Sequence, residues 1–278
     1  MIEKILAKNL AKTYEKFKLG PNDFAIKKGF VTGFIGKNGM GKTTTIKALL
    51  SLINYDGEIF LDGKKINDLS YLQDVGLVMD DSFLGKYWTL DLVDQAMDIG
   101  YDRWDSKTYY AYLDKFGLEM EKKVCELSRG MKIKLMLAIA LSHNAKILIL
   151  DEPTSGLDPA MRDELVDMIL DFMEDPEHTV LFSTHITQDL DRIADYIVFI
   201  DQGKIVFEGT KDELYEQFLL IKGGLDDYEK IKSLKIFGQK KSQYNFEALV
   251  LREDYKEDAD LVVEVPTIDQ IMIYYGRI

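Results

Sequence analysis

A glycine-rich stretch near the start of the chain constrains the fold most strongly. It has the spacing G-x-x-x-x-G-K-[ST], and the apolar residues 30–35 precede it. Those residues predict a buried strand, and residues 43–50 predict a helix. A strand, a glycine loop and a helix N-terminus together form an anion site, because the curled backbone N–H groups and the helix dipole point at a phosphate. An ordinary glycine turn is the alternative, and the flanking strand and helix disfavour it.

Each residue of this stretch is a candidate for nucleotide binding. Lys42 is expected to reach the β- and γ-phosphates, and the Thr43 hydroxyl to ligate Mg²⁺. The candidate ATP-binding residues of the stretch are Gly36, Lys37, Asn38, Gly39, Met40, Gly41, Lys42, Thr43 and Thr44.

Composition restricts the classes of partner. The chain has 278 residues, a hydrophobic fraction of 46% and a net charge of −13. A surface this acidic is repelled by nucleic acids and by anionic lipid, so we expect no nucleic-acid partner and membrane association only through another protein. A single cysteine, Cys125, excludes a disulfide framework. We find no apolar run of about 20 residues and no secretion signal, which predicts a cytoplasmic protein without a membrane span.

The order of strand-like and helix-like segments predicts an α/β fold. Apolar strands separated by helical segments indicate a mostly parallel sheet covered on both faces, accompanied by an antiparallel β region. Helical periodicity between residues 82 and 144 indicates a helical insertion. We divide the chain into a domain of residues 1–221 and a C-terminal α+β region of residues 222–278, with Gly223 and Gly224 as a linker.

A second set of polar residues follows the strand at residues 147–150. Asp151 and Glu152 come where that strand ends, and ligands bind at the carboxyl ends of strands in open α/β sheets. Asp151 would hold Mg²⁺, and Glu152 would orient and deprotonate a water molecule. His185 follows the next strand, where an imidazole could reach a γ-phosphate. Asp-Glu-Pro by itself is more often a surface turn, and a lone histidine is more often structural, so the prediction depends on their combination.

With these motifs in this order, the chain resembles the ATP-binding subunits of ATP-binding-cassette (ABC) transporters over about residues 1–217. Residues 36–44 match the Walker A motif, residues 147–152 Walker B, residues 127–131 the signature motif and residues 155–158 the D-loop. The resemblance implies a P-loop NTPase fold, ATP and Mg²⁺ as cofactors, and catalytic roles for Lys42, Glu152 and His185. It also implies that Tyr14 stacks on adenine, whereas the residues by themselves favour strand packing for this side chain.

The chain departs from the family pattern at two places. Arg129 and Met131 replace the third and fifth residues of the usual Leu-Ser-Gly-Gly-Gln signature, while Ser128 and Gly130 are retained. The Q-loop glutamine is absent, and Asp80, or alternatively Asp81, takes its position as a metal ligand through water.

The family mechanism implies a head-to-tail dimer with a second ATPase subunit, either a copy or a paralogue. Each site would combine the Walker motifs of one subunit with Ser128 and Gly130 of the other. Separate integral membrane permease subunits would hold the protein at the inner face of the cell membrane. The segment after Gly209 is similar to the tails of bacterial exporters of the ABC-2 type, several of which handle drugs, lantibiotics or membrane-active peptides.

Two other function classes remain open. A soluble ABC ATPase of translation, repair or cofactor assembly is the first alternative, but such proteins usually carry two cassettes, long coiled coils or zinc cysteines. A regulatory module that binds nucleotide without hydrolysis is the second, and the presence of Glu152 and His185 argues against it.

The last predicted helix has an apolar stripe that must be buried. Ile268, Ile271, Met272 and Tyr275 fall on one face after a capping box of Thr267 and Gln270. The stripe could pack inside a small C-terminal subdomain, or it could form an interface with a twin or a partner.

Overall fold

The computed structural model describes residues 2–79, 83–256, 258 and 260–277. Its central element is a six-stranded sheet in the order β10-β9-β3-β8-β7-β6. Strands β9, β3, β8, β7 and β6 run parallel, and β10 pairs with β9 in the antiparallel sense. The strands are β3 (Val31–Ile35), β6 (Val75–Val78), β7 (Ile147–Asp151), β8 (Thr179–Thr184), β9 (Tyr196–Asp201) and β10 (Lys204–Thr210).

An antiparallel sheet lies beside the helix that follows the glycine loop. Its order is β2-β1-β4-β5. The strands are β1 (Glu3–Thr13), β2 (Lys18–Lys27), β4 (Asp56–Leu61) and β5 (Lys64–Lys65). Phe24 of β2 stacks on Phe34 of β3 with 6.1 Å between the ring centroids, so the two sheets share one core, which also buries Ile46 of the intervening helix.

Helices cover the parallel strands. This follows from the strand sequences, since β3, β7 and β8 are buried along their whole length and a parallel sheet needs cover on both faces. The helices that pack around the sheet are α1 (Lys42–Leu49), α5 (Pro159–Phe172), α6 (Gln188–Ile193) and α7 (Lys211–Gln217).

Three further α-helices lie in the described part of the insertion between β6 and β7. They are α2 (Leu90–Gly100), α3 (Ser106–Phe116) and α4 (Arg129–Ser142). The insertion has its own core around Tyr109, whose hydroxyl donates to the carbonyl of Leu90 at 3.0 Å. Helix α4 is apolar on two faces: Leu135 lies in the core of the insertion, and Met136 lies in the core of the parallel sheet. This helix therefore joins the insertion to the parallel sheet.

The C-terminal part of the chain forms a third, antiparallel sheet in the order β12-β13-β11-β14. Its strands are β11 (Phe218–Gly224), β12 (Ile236–Lys241), β13 (Asn245–Leu251) and β14 (Val262–Glu264), and helix α8 (Ile268–Tyr274) follows. The division predicted at residue 221 falls inside β11, and the predicted linker glycines belong to this strand. A Cβ at Gly223 would lie 3.0 Å from the ring of Phe246. Glycine is therefore needed there for close packing and does not mark a flexible linker.

Helix α8 packs against both its own antiparallel sheet and the parallel sheet. Ile268, Ile271 and Met272 are buried in the cluster that contains Phe199 of β9, and the half-buried Tyr275 meets Phe199 edge-on at 5.1 Å. The same cluster contains Leu220 and Leu249 of the C-terminal sheet, so the predicted apolar stripe packs inside its own region, as the first of the two expectations has it, and on the parallel sheet as well. The C-terminal region and the parallel sheet therefore share one hydrophobic cluster, and the C-terminal sheet buries a second cluster on its own.

We predict that Ile271→Ala destabilises the whole fold, because it leaves a cavity in this shared core. The expected cost is about 2–5 kcal/mol in the free energy of unfolding, measured by urea titration. Ile273→Ala is the matched control on the same helix, since Ile273 is 51% exposed, and its effect should stay within about 0.5 kcal/mol. Equal losses for the two variants would show that α8 is not anchored through Ile271.

Candidate active site

The loop between β3 and α1, here called the phosphate loop (residues 36–41), is held closely by its surroundings. A Cβ at Gly36 would lie 2.5 Å from the carbonyl oxygen of Ile200 in β9. Gly41 is the N-cap of α1 with φ 112°, and a Cβ there would lie 2.9 Å from the ring of Phe17. Both positions therefore require glycine, one for a close approach and the other also for a left-handed backbone.

Lys42, the first residue of α1, points back across the phosphate loop. Its ammonium group donates to the carbonyl of Gly36 at 2.6 Å and lies 3.0 Å from Oε1 of Glu152. The side chain is 5% exposed. A buried ammonium needs such a partner, because an unpaired charge at that depth would cost several kcal/mol.

Thr43, Asp151 and Ser183 form a group of converging oxygen atoms. The Thr43 hydroxyl donates to Oδ2 of Asp151 at 2.7 Å, and the Ser183 hydroxyl donates to Oδ1 at 2.7 Å. The second contact follows from strand register, since Asp151 of β7 lies opposite Ser183 of β8. Both Asp151 oxygens are thereby fixed beside the start of α1.

Glu152 connects the phosphate loop to His185. Its Oε2 lies 2.6 Å from Nδ1 of His185, while Oε1 faces Lys42. Glu152 has φ 51°, a left-handed conformation that costs about 1–2 kcal/mol for a residue with a Cβ. This turn makes the neighbouring carboxylates point to different partners, Asp151 to Thr43 and Glu152 to Lys42 and His185.

The donor set suits a hard cation bound together with phosphate. Hydroxyl and carboxylate oxygens are the ligands that Mg²⁺ prefers, and it commonly takes only one or two carboxylates from the protein besides phosphate and water. Among the residues that the structure describes, no group of three or more His, Cys, Asp and Glu side chains is arranged to hold a metal. The predicted metal residue Asp80 lies outside the described residues, as does its alternative, Asp81.

Tyr14 lies in the connection between β1 and β2, next to the phosphate loop. Its side chain is 45% exposed, and its backbone N–H donates to the carbonyl of Phe17 at 2.8 Å. Phe17 in turn packs toward Gly41. The ring of Tyr14 thus lies outside the core of the sheets, and the ammonium of Lys12 lies 5.5 Å from the ring centroid. Sequence reasoning missed Phe17, although an aromatic residue in the same short connection was a signal.

The signature residues make their contacts with α4 and α5. Ser128 is exposed and caps α4, its hydroxyl accepting from the N–H of Met131 at 3.3 Å. Gly130 is buried, and a Cβ there would lie 2.5 Å from the thioether of Met161 in α5. Between them, the Arg129 guanidinium lies 3.5 Å from the carbonyl oxygen of Glu152. The structure therefore gathers Lys42, Glu152 and their partners in one group and places Ser128 at an exposed helix start.

The chain matches a known protein family. The ABC transporter family model matches residues 19–155. The lantibiotic transport ATP-binding protein SrtF of Streptococcus pyogenes is 35% identical over 212 residues, which are 73% of this chain and 90% of that protein. The chain belongs to the ATP-binding subunits of ABC transporters. The bacitracin transport ATP-binding protein BcrA of Bacillus licheniformis is 35% identical over 198 residues, 68% of this chain and 63% of that protein.

A solved structure supports the same assignment. A dimeric ATP-binding cassette in a post-hydrolysis state, bound to ADP and Pi, superimposes with a TM-score of 0.65 at 25% identity, covering 74% of this chain and 98% of that one. The predictions of the family, of the α/β P-loop fold and of ATPase activity are confirmed. Among the described residues, no helix is both long and apolar enough to cross a bilayer.

Proposed function

We propose that this ABC subunit hydrolyses ATP through Glu152 and powers the export of a peptide or another membrane-active compound. The observation that carries the proposal is the Glu152 carboxylate, held between Lys42 at 3.0 Å and His185 at 2.6 Å. The class of cargo rests on SrtF and BcrA, which are named for lantibiotic and bacitracin transport.

Nucleotide binding would rearrange the contacts of Lys42. The phosphate loop offers its N–H groups and the start of α1 to the phosphates, and Lys42 would turn from Glu152 to the β- and γ-phosphates. Thr44 lies in the first turn of α1, where its N–H would also face the phosphates. Tyr14 would stack on the adenine, since its ring is half exposed beside the loop.

Glu152 would act as the general base. Once Lys42 is engaged by phosphate, the Glu152 carboxylate is free to accept a proton from a water molecule directed at the γ-phosphorus. His185 is fixed by Glu152 and can hold the γ-phosphate from the side of β8. Thr43 and Asp151 would hold Mg²⁺, which supplies positive charge to offset the charge on the β- and γ-phosphates.

A second cassette would complete the site. Ser128 is exposed at the N-terminus of α4, and Gly130 allows the close packing of that helix start against α5. A helix N-terminus with an exposed hydroxyl is suited to the γ-phosphate of an opposing subunit. We therefore propose that two such subunits bind ATP between them. The similar cassette bound to ADP and Pi is dimeric, which supports this proposal.

A membrane permease would dock in an apolar groove next to the insertion. The groove has a volume of about 270 Å³ and lies between the end of α1, strand β6 and the start of the insertion. Leu52 and Phe83 at the groove are 57% and 50% exposed, and Lys47 is the one charged residue among the described residues that line it. An apolar helix of a permease fits this chemistry and would place the subunit at the cytoplasmic face of the membrane.

We predict that Glu152→Gln and Lys42→Ala separate hydrolysis from binding. Glu152→Gln keeps the shape and removes the base, so kcat for MgATP should fall by at least about 100-fold while ATP still binds. Lys42→Ala should weaken ATP binding itself. Steady-state ATPase assays and equilibrium titration with a fluorescent ATP analogue measure the two effects. Parental turnover in the Gln variant would refute the role of Glu152.

The shared site predicts that two inactive variants complement each other. Lys42→Ala loses Walker function and Ser128→Arg loses signature function, so a mixed dimer carries both defects in one site and keeps the other site intact. Mixing the purified variants should restore part of the ATPase activity that each lacks alone. Unmixed preparations at the same total concentration are the controls. No recovery in dimers shown to be mixed would contradict a site shared between two such chains.

We expect Leu52→Glu to weaken assembly with the permease, because it places a charge in the apolar groove. Ile99→Glu is the matched control, since Ile99 is 89% exposed and does not line the groove. Co-purification with membranes from cells that express the whole transporter measures assembly. The Leu52 variant should be lost from the membrane fraction with its soluble ATPase activity intact. Equal retention of both variants would show that the permease docks on another surface. A wild-type protein that is absent from the membrane fraction would favour a soluble ABC ATPase.

A further inference from the structure

We propose that Asp269, in the C-terminal helix α8, is a positioning residue for ATP hydrolysis. It would act on His185 through Thr187, so that the C-terminal region of each subunit sets the turnover of its own catalytic site. This inference rests on the role proposed above for His185. Its basis is a contact between α8 and the segment from His185 to Thr187, here called the switch segment (residues 185–187).

The contact is a hydrogen bond from the Thr187 hydroxyl to Oδ1 of Asp269, at 2.5 Å. Thr187 is 2% exposed and is the N-cap residue of α6. A threonine hydroxyl at that position usually accepts from the first N–H groups of its helix. Here the side chain makes no capping bond, and the hydroxyl is directed to α8 instead.

The two ends of the switch segment are fixed by different parts of the chain. At its start, the N–H of His185 donates to Oε2 of Glu152 at 3.3 Å, and the imidazole meets the same oxygen. At its end, Asp269 holds Thr187. The carbonyl of Thr187 also accepts from the N–H of Leu190 at 2.9 Å, so removing the bond to Asp269 loosens this end of the segment without freeing it, and the His185 ring loses part of its orientation.

Helix α8 is rigid enough to serve as this support. Ile268 and Ile271, on either side of Asp269 along the chain, are fully buried, and the capping box of Thr267 and Gln270 closes the start of the helix. At the other end, the carbonyl of Tyr275 accepts from the ammonium of Lys37 in the phosphate loop at 2.9 Å. One helix thus contacts both the switch segment and the phosphate loop.

Asp269 is not needed as the cap of its own helix. Thr267 fills that role by accepting from the N–H of Gln270 at 3.2 Å. An acidic residue in a first turn does stabilise a helix through its dipole, but that effect needs only the charge and not the contact with Thr187. Asp269→Asn removes the charge and keeps an oxygen that can accept from Thr187, which separates the two explanations.

The test measures kcat and ATP affinity in the full-length protein. Asp269→Ala should lower kcat about 10-fold, the size expected when a hydrogen bond to a charged group is lost. The ATP dissociation constant should change less than about 2-fold, since the phosphate loop keeps its own contacts. Asp269→Asn should retain most of kcat. Thr187→Val should lose as much as Asp269→Ala, and the double variant no more than either, because one bond is removed in each.

Gln270→Ala is the matched control for general loosening of α8. It removes one half of the capping box and should lower the melting temperature while kcat stays within about 2-fold of the parent. A loss of kcat equal to that of Asp269→Ala would show that any weakening of the helix has this effect, and the positioning role would be wrong. Unchanged kcat in Asp269→Ala would also overturn it.

The His185→Ala background shows whether Asp269 acts through the imidazole. Adding Asp269→Ala to His185→Ala should cause no further loss of kcat, since there is no ring left to position. A further 10-fold loss would overturn the proposal and point to another target. His185→Ala with parental kcat would refute the role of His185, and this inference with it. A strong defect in His185→Ala combined with a neutral Asp269→Ala refutes the inference alone.

Discussion

The carboxylate of Glu152, shared between Lys42 and His185, is the interaction on which the rest of the site depends. Its three participants come from the start of α1, the end of β7 and the end of β8. They meet only because β3, β8 and β7 are neighbours in one parallel sheet. The Lys42 side chain is nearly buried, and its charge is tolerated at that depth because it forms an ion pair with Glu152. In the proposed mechanism, a phosphate that binds Lys42 would leave Glu152 free to act as the base, which would link nucleotide binding to hydrolysis.

The site is also in contact with the C-terminal helix α8. The catalytic sheet is completed on one face by α8, whose buried side chains share a cluster with Phe199 of β9. The same helix bonds to Thr187 and to Lys37. The C-terminal region, which the sequence predicts to be separate from the ATPase domain, therefore contacts both the phosphate loop and the switch segment through α8.

Helix α4 connects the helical insertion to the parallel sheet and to the signature residues. Its two apolar faces join the insertion to the parallel sheet, and its N-terminus carries Ser128. Arg129, which departs from the usual signature, lies against the Glu152 carbonyl at 3.5 Å. The unusual signature residue is thus placed next to the turn that orients the Glu152 carboxylate. The cap at Ser128 and the close packing at Gly130 explain why these two residue types are present at this helix start.

The sequence by itself determined the elements whose geometry is local. A glycine loop between a strand and a helix, a pair of carboxylates at a strand end and a capping box each depend on a few adjacent residues, and so does the ABC resemblance that they carry. Only the tertiary structure decided which of these elements touch. Thr43 and Asp151 are 108 positions apart, and Thr187 and Asp269 are 82 apart. Such pairs depend on strand order and on the docking of α8, and neither leaves a periodic signal in the sequence. The division at residue 221 fell inside a strand for the same reason, since pairing between distant segments, and not local composition, makes residues 218–224 part of the C-terminal sheet.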